Sequence, residues 1–498
     1  MINGLKYLYL LLVRREYQKF LKALETPSEA QNRILLTLIK ELNKTTYGQS
    51  LGRIKTVKDF KNKVPIIEYD QIRPLIEVQK QSSKPLLHSR LPKIYEYTSG
   101  SSGSPKPIPY TRDLLKSFQK LFKIWSYDLL SNAPLNLKSH HFFISVSPLF
   151  GEHQGLKDDR DYLGGITKLL LSKLWRGHEL GRLKNPDDYQ EALAISLLCD
   201  PKLEILSIWS PRLLVASLDY MKGNWSNLRT ILALGSYSKP GFSLNFKPRL
   251  LAEDFHQADI FPNLKLVSSW GSAHGEADFE KLKMQFPNTW FQKKGLLATE
   301  APISLPLVGE DGFAPLITEV YFEFKDSTGN IYDLTEAREG KVYELIFSTK
   351  GGLYRYSVGD LVLMKKSKTQ TLFFDFIGRS GLVSDLCGEK LSERELEELF
   401  KDNENTLLFF PAEDHYIVFG NEAQQADLLE AKLLTSPHYH YARKAGQLKE
   451  IEYIKVEKLQ EKVIEYFTKV RKMKAGDLKP QRLYPKSQDQ ALAAYLRS

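Results

Sequence analysis

The sequence predicts a mixed α/β protein of two or three domains on three observations. A strand followed by a helix occurs at 203–209 into 211–221 and again at 264–269 into 276–286, which is the rhythm of a parallel, doubly wound layer. From Thr318 to Lys365 the pattern changes to alternating strands separated by turn residues, the mark of a mainly antiparallel region. The length, 498 residues, exceeds what one hydrophobic core normally fills.

Composition narrows the class. Hydrophobic residues at 42% and charged residues at 26% are those of an ordinary soluble globular protein. Lys and Arg number 70 against 60 Asp and Glu, and the resulting +10 is not gathered into any long basic run. Such a balance does not indicate nucleic-acid binding; it fits either attraction of an anionic substrate or a solvated surface. Cys199 and Cys387, the two cysteines, are far apart and have no His/Cys ligand spacing beside them. Neither a disulfide framework nor a zinc site is expected, and a reducing, cytoplasmic setting fits. The apolar run 7–13 is seven residues long and is followed by Arg14-Arg15-Glu16, so it reads as a buried helix face without any membrane partner. A monomer is expected.

In chain order, 4–25 reads as one helix. Thr26-Pro27-Ser28-Glu29 starts a second with an N-cap, a first-turn proline and a capping-box glutamate. Between Thr46 and Ile76, Gly48, Gly52, Pro65 and Pro74 interrupt short apolar runs, as a surface-crossing connection would. Residues 113–130 read as a helix and 141–146 as a buried strand. Ser210 is placed as an N-cap with Pro211 at the first helical position. Trp270-Gly271-Ser272-Ala273 ends the strand 264–269, where the switch-point rule puts a ligand. Turns are expected at Asp326 to Asn330 and Lys350 to Gly352, and a hinge at Gly378-Arg379-Ser380-Gly381. Beyond it lie a helix near 392–400, strands at 406–410 and 416–419, and more helices, which together suggest a small α+β lid. His438 and His440 flank Tyr439 on a loop or strand and are assigned no metal.

The chemistry centres on Thr98-Ser99-Gly100-Ser101-Ser102-Gly103-Ser104-Pro105-Lys106. Five hydroxyls and two glycines occupy 98–104, ahead of a lysine set between prolines. Glycine lets successive N–H groups turn toward one point, and with the hydroxyls they form a nest for anionic oxygens such as those of a triphosphate. This is not the P-loop spacing, since no Gly-Lys-Ser/Thr follows and Pro105, Pro107 and Pro109 forbid an immediate helix. A flexible Gly/Ser linker is the competing reading of the same composition.

Four motifs then fall into one order: Thr98 to Lys106; Ala298-Thr299-Glu300; Gly352-Leu353-Tyr354-Arg355-Tyr356-Ser357-Val358-Gly359-Asp360; and Gly378-Arg379 with Gly388-Glu389-Lys390-Leu391. This order resembles the adenylate-forming superfamily of acyl ligases. Lys341-Val342-Tyr343-Glu344-Leu345 running into Gly352 to Asp360 is most similar to the auxin-responsive-promoter family of acyl-acid amido synthetases, Gretchen Hagen three. Stretches from Phe60 to Tyr69, from Phe261 to Trp270 and from Tyr441 to Leu448 also resemble that family, so the likeness covers most of the chain. The Tyr-Arg-Tyr-x-Val-Gly-Asp signature is its most specific part.

The resemblance implies an adenylate-forming-enzyme fold, with a large N-terminal ATP- and acyl-acid-binding domain of mixed sheets and helices (1–378) and a small mobile C-terminal α+β lid (379–498). It implies ATP with Mg²⁺. Carried over residue by residue, it makes Ser99, Ser102, Gly103 and Lys106 phosphate contacts and Gly271 and Ser272 adenine-side contacts. Thr299 and Glu300 become phosphate and magnesium contacts, Glu300 being the metal ligand. Asp360 would bind the ribose hydroxyls and Arg379 would act at the hinge. Lys479, in Gly476-Asp477-Leu478-Lys479-Pro480, resembles the family's C-terminal lysine, which would swing over the α-phosphate; the other reading is a solvated tail lysine. Departures are Leu296-Leu297 in place of an aromatic and a small residue, Ser357 in place of the second signature arginine, and Gly381 and Ser384 at polar hinge positions.

The implied reaction is attack of a carboxylate on the α-phosphorus of ATP, release of pyrophosphate, and discharge of the acyl-adenylate onto an amine such as an amino acid. An acyl-CoA ligase sharing the first step, and a nucleotide-binding protein without turnover, are the alternatives. Intact Lys106, Glu300, Asp360 and Lys479 weigh against the last. The acid pocket is expected around 118–129, Trp209 and Trp270, in apolar and aromatic surroundings.

Overall fold

In the computed structural model, which describes residues 2–82, 84–98, 106–138, 141–145, 175–176, 180, 183, 185–256, 260–272, 275–380, 382–384, 386, 389, 391–401, 406–422, 426–444, 448–473, 481–485 and 490–498, the strand-helix rhythm becomes a five-stranded parallel sheet. Its spatial order is Trp175–Arg176, His141–Ser145, Leu203–Ile208, Leu266–Ser269, Trp290–Lys293. Every residue of Leu203–Ile208 is buried, as expected for a parallel strand covered on both faces. The next residue but one, Ser210, accepts from the Leu213 N–H at 3.4 Å and starts the helix Pro211–Gly223. That helix buries Leu214, Leu218 and Met221 on one face, against the sheet's core.

The 318–365 region and its flanks form a mainly antiparallel seven-stranded sheet. Its order is Ser304–Pro306, Phe313–Pro315, Phe373–Arg379, Tyr356–Lys365, Val342–Thr349, Val320–Lys325, Ile331–Asp333. The helix Arg112–Asn132 packs into the same core through Leu114, Phe118, Leu121 and Ile124. Thr111 caps it, accepting from the Leu114 N–H at 3.1 Å and donating to the Lys350 carbonyl at 3.0 Å.

Three local expectations are corrected. The stretch 46–76 is not a surface-crossing connection but the helices Thr46–Ser50, Val57–Lys63 and Tyr69–Gln81. Thr45 and Thr56 cap the first two, and Pro74 sits inside the third, where it removes one helix N–H while Tyr69, Ile72 and Ile76 remain buried. Thr26 makes no N-cap bond to Pro27–Leu42; its hydroxyl donates to the Lys22 carbonyl at 3.3 Å, because one residue separates the two helices and its hydroxyl serves the end of the first. His438 and His440 lie on the helix Pro437–Lys444, started by the Ser436 carbonyl accepting from the His440 N–H at 2.9 Å.

Among the described residues the chain divides into two compact units, 2–98 with 106–377, and 378–498. No helix among the described residues is long and apolar enough to cross a membrane. In the second unit Leu407–Pro411 pairs antiparallel with Tyr416–Gly420, which pairs parallel with Glu452–Lys455. Ser392 caps the helix Glu393–Leu399, accepting from the Glu395 N–H at 3.2 Å.

The Glu393 carboxylate accepts from the N–H groups of Arg482 and Leu483, and burial pushes this carboxyl from its usual 4.5 up to about 8. A folded-state value above the unfolded one means stability that is fully present below about pH 4.5 and is lost as pH rises through about 8. The urea midpoint of the unfolding phase of this unit in the full chain should therefore fall between pH 5 and pH 8, and Glu393→Gln should flatten the slope. Equal slopes in the two proteins would remove Glu393 as the titrating group.

Candidate active site

The hydroxyl-rich segment joins a two-stranded antiparallel hairpin, Ile94–Tyr97 with Pro107–Tyr110, in the register Tyr97↔Pro107 to Ile94↔Tyr110. Its mouth is closed by the Thr98 N–H donating to the Lys106 carbonyl at 3.0 Å and the Lys106 N–H donating to Thr98 Oγ1 at 3.2 Å. The two ends are thus fixed to each other, unlike those of a linker between separate elements. Ser99, Ser102 and Gly103 themselves lie outside the described residues. Lys106 Nζ stands 5.2 Å from the centre of the Tyr69 ring, a cation–π contact that holds the ammonium beside the hairpin.

Thr299 and Glu300 form the two-residue turn between Leu297–Ala298 and Ala301–Pro302, whose register is Ala298↔Ala301 and Leu297↔Pro302. The Tyr110 hydroxyl, on the strand that leaves Lys106, donates to the Thr299 carbonyl at 2.7 Å and ties the two hairpins together. Glu300 is 8% exposed. One carboxylate at a tight turn beside a threonine supplies the hard oxygen donors that Mg²⁺ takes when substrate phosphates complete its shell, so the residues present fit that ion.

At the carboxyl end of Leu266–Ser269 the chain turns through Trp270, Gly271 and Ser272. The Trp270 N–H donates to the Trp209 carbonyl at 3.0 Å, and Gly271 and Ser272 are buried. A Cβ on Gly271 would stand 2.7 Å from Lys293 Cγ and 2.9 Å from the Phe279 ring, so a larger residue requires the turn or one of these side chains to shift. The Trp270 ring packs on Phe376, 5.7 Å between centres.

The signature 352–360 is buried from Gly352 to Ser357 and bulges out of the strand ladder at its end. Arg355, in the left-handed region at φ 47°, is buried. Its Nε and Nη2 each donate to the Glu323 carboxylate at 2.9 Å, and its Nη1 donates to the carbonyls of Lys61 at 2.7 Å and Val64 at 2.9 Å. It is neither a solvated strand residue nor a ligand-facing one. Ser357 donates its hydroxyl to Glu344 at 2.6 Å and its N–H to the Ile67 carbonyl at 2.9 Å. Ile67 precedes Tyr69 by two residues, so the signature and the Lys106 hairpin share one support. The register then slips from Ile346↔Ser357 to Glu344↔Leu361, leaving Val358, Gly359 and Asp360 opposite Leu345 alone. Gly359 at φ 75° makes the bulge possible, and the bulge takes Asp360, 2% exposed, out of the regular ladder.

The expected sites therefore gather in part. Lys106, Thr299 and Glu300 are linked through one hairpin pair, and Asp360 ends the signature braced by the same Ile67–Tyr69 segment. The backbone of Arg379 ends the strand Phe373–Arg379, its side chain lying outside the described residues, as does the whole of Lys479.

An apolar cavity opens where Arg112–Asn132 meets the parallel sheet. Phe122, Trp125, Leu129, Trp209 and Leu297 line it, as expected for the first four, whereas Trp270 is not among its described lining. Tyr9, from the first helix, and Lys294 also line it, and neither was anticipated. The only signal for Lys294 was a basic residue entering the apolar run Gly295-Leu296-Leu297. Gly295 sets the floor: a Cβ there would lie 2.3 Å from the Ser304 carbonyl oxygen.

Residues 16–291 match the model of the GH3 family N-terminal domain and residues 313–379 that of the GH3 family central domain. The chain is 23% identical over 425 residues to a jasmonoyl–L-amino acid synthetase, JAR6, of Nicotiana attenuata, covering 74% of this chain and 72% of that protein. It is 22% identical over 453 residues to the indole-3-acetic acid-amido synthetase GH3.2 of Arabidopsis thaliana, covering 76% and 79%. Its fold is that of the solved GH3.15 acyl acid amido synthetase, with a TM-score of 0.77 at 17% identity over 96% of this chain and 95% of that one.

Proposed function

The chain belongs to the GH3 family, and from that premise we propose that it is an ATP-dependent acyl-acid amido synthetase, a ligase that adenylates a carboxylic acid and transfers the acyl group to the amine of an amino acid. The observation that carries the reading is the family match over more than half of the chain, with relatives named for this chemistry covered over more than two thirds of their length.

In the first step the carboxylate, already ionised near neutral pH, forms a bond to the α-phosphorus and pyrophosphate leaves. No general base is needed. The protein has to bring two anions together, and the Lys106 ammonium and the N–H groups of 98–106 would offset their charge. Thr299 and Glu300 would hold the phosphates and Mg²⁺, which supplies Lewis-acid charge neutralisation on phosphoryl oxygens when bound. Gly271 and Ser272 would face the adenine, Asp360 would accept from the ribose hydroxyls, and the apolar cavity would take the acyl group. In the second step the neutral amine attacks the acyl carbon, AMP leaves and the amine gives up a proton. The small unit from 379 onward, with Arg379 and Lys479, would act as the lid between the steps. The two widely spaced cysteines support a reducing, cytoplasmic setting, with a monomer acting on small molecules.

Incubation with ATP, Mg²⁺, mixed carboxylic acids, mixed amino acids and CoA, read by mass spectrometry, tests this directly. An acyl–amino acid amide with AMP and pyrophosphate is the expected product set. Thioester without amide would overturn it in favour of the CoA ligase, and the absence of both would leave a binding protein.

A further inference from the structure

Two hydroxyls meet on the helical side of the apolar cavity. Tyr9, from the helix Ile2–Glu25, and Ser126, from Arg112–Asn132, both line it, and their oxygens stand 2.5 Å apart. Tyr9 is buried, and that burial pushes its phenol up to about 12, so it is a neutral hydroxyl at physiological pH. The protons of the pair can be followed. Ser126 donates to the Lys123 carbonyl at 3.2 Å, which leaves its oxygen to accept from Tyr9. A hydroxyl has one proton and two lone pairs, so the chain from Tyr9 through Ser126 to Lys123 uses both protons and keeps acceptor capacity on both oxygens. The pair is not needed to join the helices. Tyr17, two turns further along the first helix, donates to Asp128 at 2.8 Å and accepts from Asn132 at 2.9 Å, and these three are not among the described residues of the cavity wall.

Resting on the amido-synthetase reading, we propose that Tyr9 and Ser126 form a subsite of the acid pocket that selects carboxylic acids carrying a second group with a proton to donate, a hydroxyl or an N–H, on an apolar body. That group donates to the hydroxyl pair, and the body lies against Phe122, Trp125, Leu129 and Leu297. The reacting carboxylate cannot take this place. It is ionised near neutral pH and therefore accepts only, and it must approach the α-phosphorus. A second group that only accepts, such as an ether oxygen, is served only if one of the two hydroxyls turns away from its present partner. A methyl group in the same place leaves the lone pairs of the pair against hydrocarbon.

The test sets 3- and 4-hydroxyphenylacetate against the methylphenylacetates of the same shape and against the methoxy ethers, which accept without donating. The hydroxy acids from 4-hydroxybutanoate to 6-hydroxyhexanoate are set against pentanoate to heptanoate in the same way. The readout is kcat/KM for acid-dependent pyrophosphate release by the full chain, with acid binding by calorimetry alongside. In at least one series the native protein should favour the donor-bearing acid over its methyl counterpart by about tenfold, and over the ether as well. Tyr9→Phe, which keeps the ring and removes the oxygen, should bring that ratio near unity, through KM for the donor-bearing acid more than through kcat. Ser126→Ala frees the Tyr9 proton and should raise the ether relative to the hydroxy acid, a change that a merely structural contact between the helices would not produce. Thermal melting establishes that each variant is folded, and the alanine variant keeps the test decisive if the phenylalanine variant is not. Release with some acid but no preference for the donor in the native protein, or a preference unchanged in the folded variants, overturns the subsite and leaves the reaction class standing. No release with any acid overturns the reaction class; a calorimetric preference for the donor that Tyr9→Phe removes would then still support the subsite, and no such preference would overturn both.

Discussion

Replacing Asp360 by alanine is expected to lower acid-dependent ATP–pyrophosphate exchange by about a hundredfold or more, since a misplacement of about 1 Å at the reacting centre costs on that order. Asp360 sits on the bulge that follows the buried half of the signature, with Gly359 at φ 75° turning the chain just before it. Under the proposed function its carboxylate accepts from both ribose hydroxyls and so sets the direction in which the α-phosphate faces the acid. The loss should fall on the adenylating half-reaction. A chemically supplied acyl-adenylate should still acylate an amine in the Asp360→Ala protein, more slowly if its own ribose contact is lost. Native-like exchange in a folded Asp360→Ala protein would take the residue out of the site, and equal damage to both half-reactions would point to a general distortion of the bulge.

Removing Arg355 is expected to be the most damaging change to stability, on the order of 3–5 kcal/mol for Arg355→Met. The arginine makes two bonds to Glu323 and two more to the carbonyls of Lys61 and Val64, so its loss strands a buried carboxylate and two acceptors together. Arg355→Lys should rescue little, because an ammonium cannot reproduce the planar fork. The double variant Arg355→Met/Glu323→Leu should recover part of the loss, since replacing both members of a buried pair avoids the orphaned charge. Denaturant unfolding of the three proteins reads all of this. Additive losses in the double variant would mean that the pair is not the source of the effect.

These two residues show how far local pattern reached into the site. Strand Leu203–Ile208, helix Pro211–Gly223 and the antiparallel region were legible because burial imposes its period on neighbouring residues and Ser, Thr and Pro mark helix starts. The signature was legible as a motif, yet the division of labour within it was not. Arg355 finds its partner 32 residues away on another strand, and its own surroundings in sequence fit a solvated strand residue equally well. The same limit produced the error at 46–76, where Gly and Pro suggested a connection and tertiary packing of Ile72 and Ile76 carried a helix through Pro74.

By itself the sequence determined the order of the motifs, the mixed α/β class and the chemistry its side chains permit: a hydroxyl-rich loop before a lysine, a Thr-Glu pair, and an aspartate after Val-Gly. These are properties of residue type and short spacing, which local sterics and hydrogen bonding act upon directly. Only the tertiary structure decided that Tyr110 binds Thr299 across 189 residues, that Arg355 is buried against Glu323, and that Lys294 stands in the wall of an apolar cavity. Each of those contacts depends on which strands the folded chain sets side by side, and no local period encodes a partner that far along the chain.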